Sequence, residues 1–448
     1  MASTYLSKTF GTPTNNYKWT LSIWFKKSKN DANQYLFQTY PTGEGYSRVY
    51  FKSTDLFQFD GEDTSQGNAF NFKSNAKYRD VNGWYHLVIK WDVTQSTASE
   101  RVKIYINGVQ QTNLANNVQP AQNTTYPANR AKAHYIGRHS SDTATYFGGC
   151  MSHYHFCDGY AYDASEFGET DATTGEWKIK TSPSVTYGNN GFFILKDGNS
   201  ATDQSGNSNN WTVAGGTLTK TEDCPSNVFA TLNPLHPSLN TSRSFSNGNT
   251  YVALGGTARV PEVSTLGMTS GKFYAEMKDI SGSGGKSIMG ITSKIYRGNV
   301  VDWLGSQSED YSYYSDLGRK ANNANEIVYG DSWTDGDIIG VAVDLDNLKI
   351  YFSKNGVWQN SGDPTSGATG TGAAFTITAP SSTTDGAYFF ACSDDNQYAE
   401  RRMAWNFGNG YFQTTAVASA GTNASGNGIF EYDVPTGYTA LSTKGLNE

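Results

Sequence analysis

The sequence predicts an all-β protein built as two tandem antiparallel β-sandwiches, and three observations lead to that prediction. Apolar and polar residues alternate with a period of two over many short stretches from end to end. Turn-forming Gly, Asn and Asp separate these stretches, and Gly alone contributes 47 of the 448 residues. Apolar residues at helical spacing do not recur over any long window, so we expect only residues 163–167 to form a helical turn.

The composition agrees with rigid, turn-rich domains. Charged residues make up 17% of the chain, against about 25% in an average soluble protein, and aromatic residues make up 14%. At 448 residues the chain has the length of two domains, each large enough for its own core. A cluster of prolines within 217–249 makes a poor central strand. We therefore predict a first sandwich over 1–216, a Pro-, Ser- and Asn-rich linker over 217–249 and a second sandwich over 250–448.

Charge and hydropathy exclude several functional classes. The formal net charge is −7 without a basic block, so the chain lacks the electrostatic footprint of a nucleic-acid-binding protein. No window reaches the roughly 18 consecutive apolar residues of a spanning helix, so no membrane insertion is expected. The first ten residues lack an apolar signal-peptide core, so we expect the chain to be made in a cytoplasm and not to leave it by an ordinary signal. The four cysteines are too few for a disulfide framework.

Strand patterns in the first half point to a known family. Residues 83–91 (GWYHLVIKW) and 102–106 (VKIYI) predict paired strands, and the Asn-Gly turn at 107–108 is a strong hairpin signal. A strand at 135–137 and the segment 147–152 follow in order. With these features residues 17–215 resemble a laminin-G-like, concanavalin-type jelly roll. An early strand is expected to place four alternating residues on one face: Trp19, Leu21, Ile23 and Phe25.

A longer motif marks the second half. WTDGDIIGVAVDLD at 333–346 runs into KIYFSKNG at 349–356, and WNFG follows at 405–408. The glycines and asparagine of this motif are placed to turn the chain before and after buried strands. The motif resembles that of a SPRY domain over residues 271–448. One departure is that DNL at 346–348 replaces the glycine often found at that turn.

The pairing of these two domains resembles structural proteins of tailed bacteriophages. That resemblance implies a protein on the virion surface, as a fibre, spike or head decoration, made in the host cytoplasm. The implied partners are other virion structural proteins and a host-surface glycan, and particle symmetry favours a homo-oligomer. The alternative is a purely architectural capsid decoration, cement or head-fibre protein without a host ligand.

Candidate catalytic carboxylates are few. Concanavalin-type jelly rolls include glycoside hydrolases, which need two carboxylates facing each other across a sugar groove. Glu169 and Asp171 lie in a stretch flanked by glycines, which predicts a loop, while Glu276 and Asp279 have the wrong spacing for one strand face. We therefore predict a non-catalytic protein, with glycan hydrolysis as the less favoured function.

Two segments carry residue types that bind metals. His153, His155 and Cys157 alternate along one strand and could bind zinc, although a strand with polar residues on its outer face explains them better. The segment 197–207 is rich in Asp, Asn and Ser oxygens that suit calcium, yet turn chemistry explains the same residues equally well. We predict no metal site and no cofactor, with calcium kept as the open alternative.

The predicted ligand-binding residues lie in one loop of the second half, at about 293–310. The SPRY resemblance implies that loops between strands form the binding surface. An aromatic ring beside hydrogen-bonding groups suits a sugar, whose C–H face packs on the ring. An alternative is that Trp303 folds back as a lid on the sandwich edge. The candidate ligand-binding residues are Tyr296, Arg297, Asn299, Asp302 and Trp303.

Overall fold

Strands account for most of the regular structure, as the alternation predicts. Contacts divide the chain into two units, the first made of residues 1–220 with 224–226 and the second of 221–223 with 227–448. Helical segments in the described ranges are short 3₁₀ helices, including the predicted turn at Ala164–Glu166. The computed structural model describes residues 3–65, 67–140, 145–196, 200–238, 242–255, 259–283, 285–295, 302–395 and 400–447.

The first unit is a sandwich of two antiparallel sheets. An eight-stranded sheet has the order β10-β6-β5-β4-β3-β11-β1-β16, and a six-stranded sheet has the order β15-β12-β2-β7-β8-β9. A short hairpin of β13 and β14 lies outside both sheets. The strands are β1 (Tyr5–Thr9), β2 (Lys18–Lys27), β3 (Gln34–Thr39), β4 (Tyr46–Phe51), β5 (Leu56–Asp63), β6 (Asn68–Lys77), β7 (Tyr85–Asp92), β8 (Val102–Ile106), β9 (Val109–Gln110), β10 (Leu114–Val118), β11 (Ala133–Ile136), β12 (Gly149–Asp158), β13 (Gly168–Thr170), β14 (Trp177–Ile179), β15 (Phe192–Ile194) and β16 (Thr212–Gly215).

The core of the first unit lies between its two sheets. All four residues predicted to share one face of β2, including Trp19 and Phe25, are buried in this core, which confirms that prediction. Between β8 and β9, Asn107 has a φ of 47° and Gly108 a φ of 76°. A two-residue hairpin of type I′ needs positive φ at both positions, and this explains the Asn-Gly pair.

The second unit is a second sandwich of two sheets. Its larger sheet has the order β17-β18-β30-β20-β25-β26-β27, with β28 beside β26 and β33 parallel to β20, and its smaller sheet has the order β19-β29-β21-β22-β23-β24. The strands are β17 (Ser244–Ser246), β18 (Tyr251–Leu254), β19 (Glu262–Val263), β20 (Lys272–Ser283), β21 (Ser287–Thr292), β22 (Asp310–Tyr314), β23 (Arg319–Asn322), β24 (Asn325–Val328), β25 (Ile338–Asp344), β26 (Lys349–Lys354), β27 (Val357–Trp358), β28 (Phe375–Thr376), β29 (Phe389–Asp394), β30 (Glu400–Asn406), β31 (Tyr411–Phe412), β32 (Thr415–Ala416) and β33 (Thr439–Ala440).

The SPRY-like motif forms the centre of the larger sheet in the second unit. Strands β25 and β26 pair over six residues, and Trp333 and Trp405 are buried in the core between the sheets. At the turn between these strands Leu348 has a φ of 57°, the left-handed conformation that glycine adopts without strain. The Leu348 side chain packs against the core, so the residue that replaces glycine here contributes burial.

The predicted linker is more ordered than the sequence indicates, and so is the Gly-, Ser- and Thr-rich segment 361–372, whose composition predicts a long exposed loop. Phe229, Ala230 and Leu232 are buried, and the Ala230 N–H donates to the carbonyl of Leu441 at 2.9 Å. The chain therefore passes from the first unit to the second between residues 220 and 227. Within 361–372, Pro364–Thr369 forms a 3₁₀ helix whose Pro364 carbonyl accepts from the Tyr438 hydroxyl at 3.0 Å.

Candidate functional site

Within the predicted ligand-binding loop, the structure describes residues 293–295 and 302–310. Tyr296, Arg297 and Asn299 lie outside the described residues. Asp302 is 8% exposed and accepts a hydrogen bond from the side chain of Gln307. The Trp303 ring stands edge-on to Tyr314, with centroids 5.3 Å apart, and packs beside Leu304. This packing is what the lid alternative requires, while the ligand-binding role of the loop stays a prediction.

The histidine and cysteine side chains of β12 do not form the alternating set that zinc would need. The pairing register shifts between Ser152 and His155, and His153 has a φ of 45°, so the strand's alternation is interrupted there. His155 stacks on Phe193 at 3.9 Å and its Nδ1 lies 2.9 Å from the Tyr187 hydroxyl. Burial holds the pKa of His155 well below its usual value. Tyr154 and Phe156 pack in the core between the sheets, so His155 and Cys157 lie on the outer face of β12, where both are buried rather than exposed.

The candidate calcium segment has its carboxylate engaged in turn hydrogen bonds. Residues 197–199 lie outside the described part. Asp203 accepts from the backbone N–H groups of Phe193, Ser205 and Asn209 at 2.8–2.9 Å, and from the Ser205 hydroxyl at 2.7 Å. This is the turn chemistry named as the alternative. Over the described ranges, no group of three His, Cys, Asp or Glu side chains is arranged to hold a metal ion.

The carboxylates considered for hydrolysis have structural partners. Asp171 accepts from the backbone N–H groups of Thr173 and Thr174 and pairs with Lys178 at 3.2 Å. Glu276 is fully buried on β20. Its carboxylate accepts from four donors at 2.9–3.2 Å, which are the backbone N–H groups of Glu431 and Tyr432 and the side chains of Tyr274 and Asn406.

A polar and aromatic surface covers one face of the eight-stranded sheet in the first unit. On β4, Val49 and Phe51 point into the core, so the alternating side chains Tyr46, Arg48 and Tyr50 point to the opposite face. Strand β5 places a partner opposite each of them in antiparallel register. The pairs are Tyr46 with Glu62, Arg48 with Asp60, and Tyr50 with Gln58.

The Asp60 carboxylate accepts hydrogen bonds that connect side chains of these pairs. Arg48 donates from Nε and Nη2 to its two oxygens, both at 2.9 Å, and Gln58 donates to Oδ2 at 2.9 Å. The guanidinium lies 4.1 Å from the ring centroid of Tyr46 and 5.3 Å from that of Tyr50. Burial opposes the charge on Arg48, but the hydrogen bond and charge of Asp60 raise its pKa overall. A bidentate pair against two rings holds these side chains in fixed positions.

A shallow depression of about 570 Å³ lies beside this row, at β3 and β11. The Tyr40 ring, 53% exposed, stands 5.9 Å from Tyr46 and extends the aromatic surface into the depression. Gln38 exchanges two hydrogen bonds of 3.2 Å with Ser140 and so fixes one wall. The lining residues are Tyr40, Pro41, Thr42, Lys132, Ala133, Tyr135 and Ser140.

This arrangement suits the binding of a sugar. Exposed tyrosine rings offer apolar faces to C–H groups, and nearby hydroxyl, amide and ammonium groups can pair with sugar hydroxyls. We name the surface formed by Tyr40, Tyr46, Arg48, Tyr135 and the depression the tyrosine face. The tyrosine face was not predicted from the sequence, although the residues Y-S-R-V-Y-F at 46–51 alternate as those of β2 do. The signal was an alternating strand whose solvent side carries aromatic and charged residues.

Two protein families match separate parts of the chain. Residues 2–166 match Laminin_G_3, described as the Concanavalin A-like lectin/glucanases superfamily, and residues 272–388 match the SPRY domain. The chain therefore contains a concanavalin-like domain followed by a SPRY domain, and both predicted domain resemblances are confirmed. The fold prediction of two tandem antiparallel sandwiches is confirmed as well.

Two curated proteins match short parts of the chain. Over 89 residues it is 35% identical to the Ran-binding proteins 9/10 homolog of Drosophila melanogaster. Over 101 residues it is 33% identical to the dual specificity protein kinase splA of Dictyostelium discoideum. These matches cover 19% and 21% of this chain but only 9% and 4% of those proteins.

Three solved structures are similar to parts of the chain. The SPRY domain of human HERC1 matches with a TM-score of 0.28 and 15% identity, over 39% of this chain and 96% of that one. The heptameric SAP-like pentraxin of Limulus polyphemus matches with a TM-score of 0.26 and 13% identity, over 34% of this chain and 69% of that one. Stonustoxin matches with a TM-score of 0.28 and 16% identity, over 41% of this chain and 27% of that one. Within the described residues, no helix is long and apolar enough to cross a membrane.

Proposed function

We propose that this protein is a non-catalytic structural component on the outside of a phage particle, and that its first domain contacts a host-surface glycan. The observation that carries the glycan contact is the tyrosine face, where Tyr40 stands exposed beside a depression lined by hydrogen-bonding groups. The low-charge composition and the pairing of the two domains support the virion surface as its location. Its other partners are then virion structural proteins, including further copies of the chain.

The absence of catalysis is part of this proposal. Hydrolysis of a glycosidic bond needs one carboxyl that is protonated and one that is ionised on opposite sides of the bond. On the tyrosine face the Asp60 carboxylate is occupied by the guanidinium of Arg48 and the amide of Gln58. With its oxygens engaged by these two side chains, the Asp60 carboxylate is poorly placed to face a glycosidic bond.

The glycan contact is tested by replacing the exposed aromatic ring. Tyr40→Ala should lower binding of the purified protein to host cells or to a glycan array by about tenfold, the effect of losing one stacking contact worth about 1.4 kcal/mol. The melting temperature should hold, because the ring is half exposed. Tyr17→Ala is the matched control, since Tyr17 is 39% exposed on the same domain and lies outside the depression. Equal binding by both variants and the parent protein would show that the tyrosine face does not contact the glycan.

The architectural alternative predicts a different set of results. Antibodies or cryo-electron microscopy would then find the protein on particles, while no glycan binds it and Tyr40→Ala leaves host adsorption unchanged. Failure to find the protein on particles would contradict the virion proposal itself. Release of reducing sugar ends from a bound glycan would contradict its non-catalytic part.

A further inference from the structure

Arg138 is a rigidly held cation at the border of the depression. It follows β11, and its backbone forms an isolated bridge with Tyr146. Its guanidinium carbon lies 4.4 Å from the ring centroid of Tyr5 and 5.6 Å from that of Tyr135. A guanidinium packed against two aromatic rings has few orientations left to lose on binding.

The hydrogen bonds of Arg138 use one edge of its planar, forked guanidinium group. Its Nε donates to the carbonyl of His139 at 2.8 Å, and its Nη2 donates to the carbonyl of Ser140 at 3.0 Å. Among the described residues the Nη1 group has no hydrogen-bond partner, and no carboxylate forms an ion pair with this arginine. The outer pair of N–H groups, one on Nη1 and one on Nη2, therefore remains available to an acceptor.

Other arginines near this face differ from Arg138. Arg48 is neutralised by Asp60, and Arg130 pairs with Asp63 and with Glu44. Arginine stays protonated at any pH of interest, and its fork matches the two oxygens of a carboxylate. Because no described protein group accepts from its outer N–H pair, this guanidinium is placed to bind an external anion.

The depression and Arg138 share two residues. Tyr135 contributes its ring to both, and the Ser140 carbonyl that accepts from Nη2 belongs to a lining residue. Among the described lining residues there is no carboxylate, and the charged one, Lys132, pairs with Glu44. A sugar seated against Tyr40 and Tyr135 would therefore meet hydrogen-bond donors and one unpaired cation.

We infer that the depression takes an acidic sugar, whose carboxylate binds the outer N–H pair of Arg138 while its ring packs on tyrosine. This inference rests on the proposed glycan contact and adds the class of glycan. Sulfated or phosphorylated sugars present the same chemistry of a compact anion on a sugar ring.

Matched probes test the preference for an acidic ligand. The full chain is titrated with oligogalacturonate and with its fully methyl-esterified form, which keeps the sugar backbone and removes the charge. The parent protein should bind the acid at least about tenfold more tightly. Arg138→Gln should bring the two affinities to within about twofold, since the remaining contacts do not distinguish them. Arg138→Lys should keep part of the preference, because it retains the charge but loses the fork.

The control and the contradicting outcomes separate this inference from the proposed function. Arg402→Gln removes an exposed arginine of the second unit that pairs with Glu400, and the preference should not change. Equal binding of both forms by the parent protein, with Tyr40→Ala still weakening both, would overturn the acidic class and leave the glycan contact standing. An unchanged preference in a folded Arg138→Gln variant would overturn the role of Arg138. Binding of a sulfated oligosaccharide that is lost in Arg138→Gln would support the anion site.

Discussion

At the scale of single residues, Glu276 holds the segment 431–432 against the larger sheet of the second unit. All four of its hydrogen bonds are accepted by the carboxylate, and two come from backbone N–H groups that cannot rotate. Glu276→Gln would place an amide N–H₂ group against one of them. We expect the free energy of unfolding of this unit to fall by about 1–3 kcal/mol, the cost of a buried donor without an acceptor.

Urea denaturation followed through the second unit measures that loss. Glu400→Gln is the control, because Glu400 is exposed and pairs with the exposed Arg402. An exposed ion pair of this kind should contribute little to the stability. An equal effect of the two substitutions would contradict the structural role of Glu276.

Trp333 is the second residue for which a stability effect is expected. Its side chain is 1% exposed within the core of the second unit, as the sequence interpretation of a packing residue requires. Trp333→Ala should lower the free energy of unfolding by about 3–5 kcal/mol. Val357→Ala, at an exposed position of the same unit, should change it little. Full stability together with lost binding would show that Trp333 contacts a ligand.

At the scale of elements, the ring of Trp303 connects the loop at 293–310 to the smaller sheet of the second unit. Because the Trp303 ring packs edge-on to Tyr314, Trp303→Ala should lower the melting temperature, by a loss of about 1–3 kcal/mol, and leave glycan binding unchanged. Calorimetry and the glycan array measure both quantities on one preparation. Leu317→Ala is the exposed control. An unchanged melting temperature with reduced binding would instead assign the ligand to this loop.

Sequence reasoning succeeded where the signal is local. The alternation of 19–25, the Asn-Gly hairpin at 107–108 and the SPRY-like motif are each contained in a few consecutive residues, and all three fold as predicted. The tyrosine face depends on register, because Arg48 meets Asp60 only when β4 and β5 pair. Strand register is fixed by the whole sheet, so it is poorly visible in one strand.

Long-range pairing also explains the differences from prediction. The prolines of 217–249 indicate a linker, yet Ala230 pairs with Leu441, more than 200 residues further on. A contact of that sequence separation leaves no local pattern. The interruption of β12 at His153 is likewise a property of two paired strands. A bulge is defined by an extra residue in one strand relative to its partner, here in β12 relative to β2.

At the scale of the whole molecule, the junction between the units should be the first site of proteolysis. Residues 216, 217 and 220 are exposed and lie where the chain leaves the first unit. By contrast, the segment 361–372 is held by hydrogen bonds from Tyr438 and Tyr329. Limited trypsin or proteinase K digestion followed by mass spectrometry should give two stable fragments divided within 216–227. Early cleavage within 361–372 would contradict the protection expected there.

The pH dependence of the second unit should have a definite sign. Burial, followed by the charge of Asp395, raises the pKa of Asp394 to about 7, and burial raises that of Glu262 to about 7 despite Arg243. These carboxyls bind protons more readily in the folded than in the unfolded state. Their contribution to stability is therefore fully present below their unfolded pKa and is lost as pH rises toward 7. Denaturation at pH 5 and pH 8 should show lower stability at pH 8, and the reverse order would contradict these assignments.

The pairing of early and late segments in each unit has a consequence for synthesis. In the first unit β1 pairs with β16, and in the second the Ala230 N–H pairs with the carbonyl of Leu441. A ribosome releases residue 230 long before residue 441, so the Ala230 N–H cannot form this hydrogen bond until translation has passed residue 441. The first sandwich meets its own closing strand by residue 215 and is free to fold while the second is still being made. In each sandwich the first and last segments of the chain therefore lie next to each other. This is the geometry that allows a domain to be inserted into a loop of another protein.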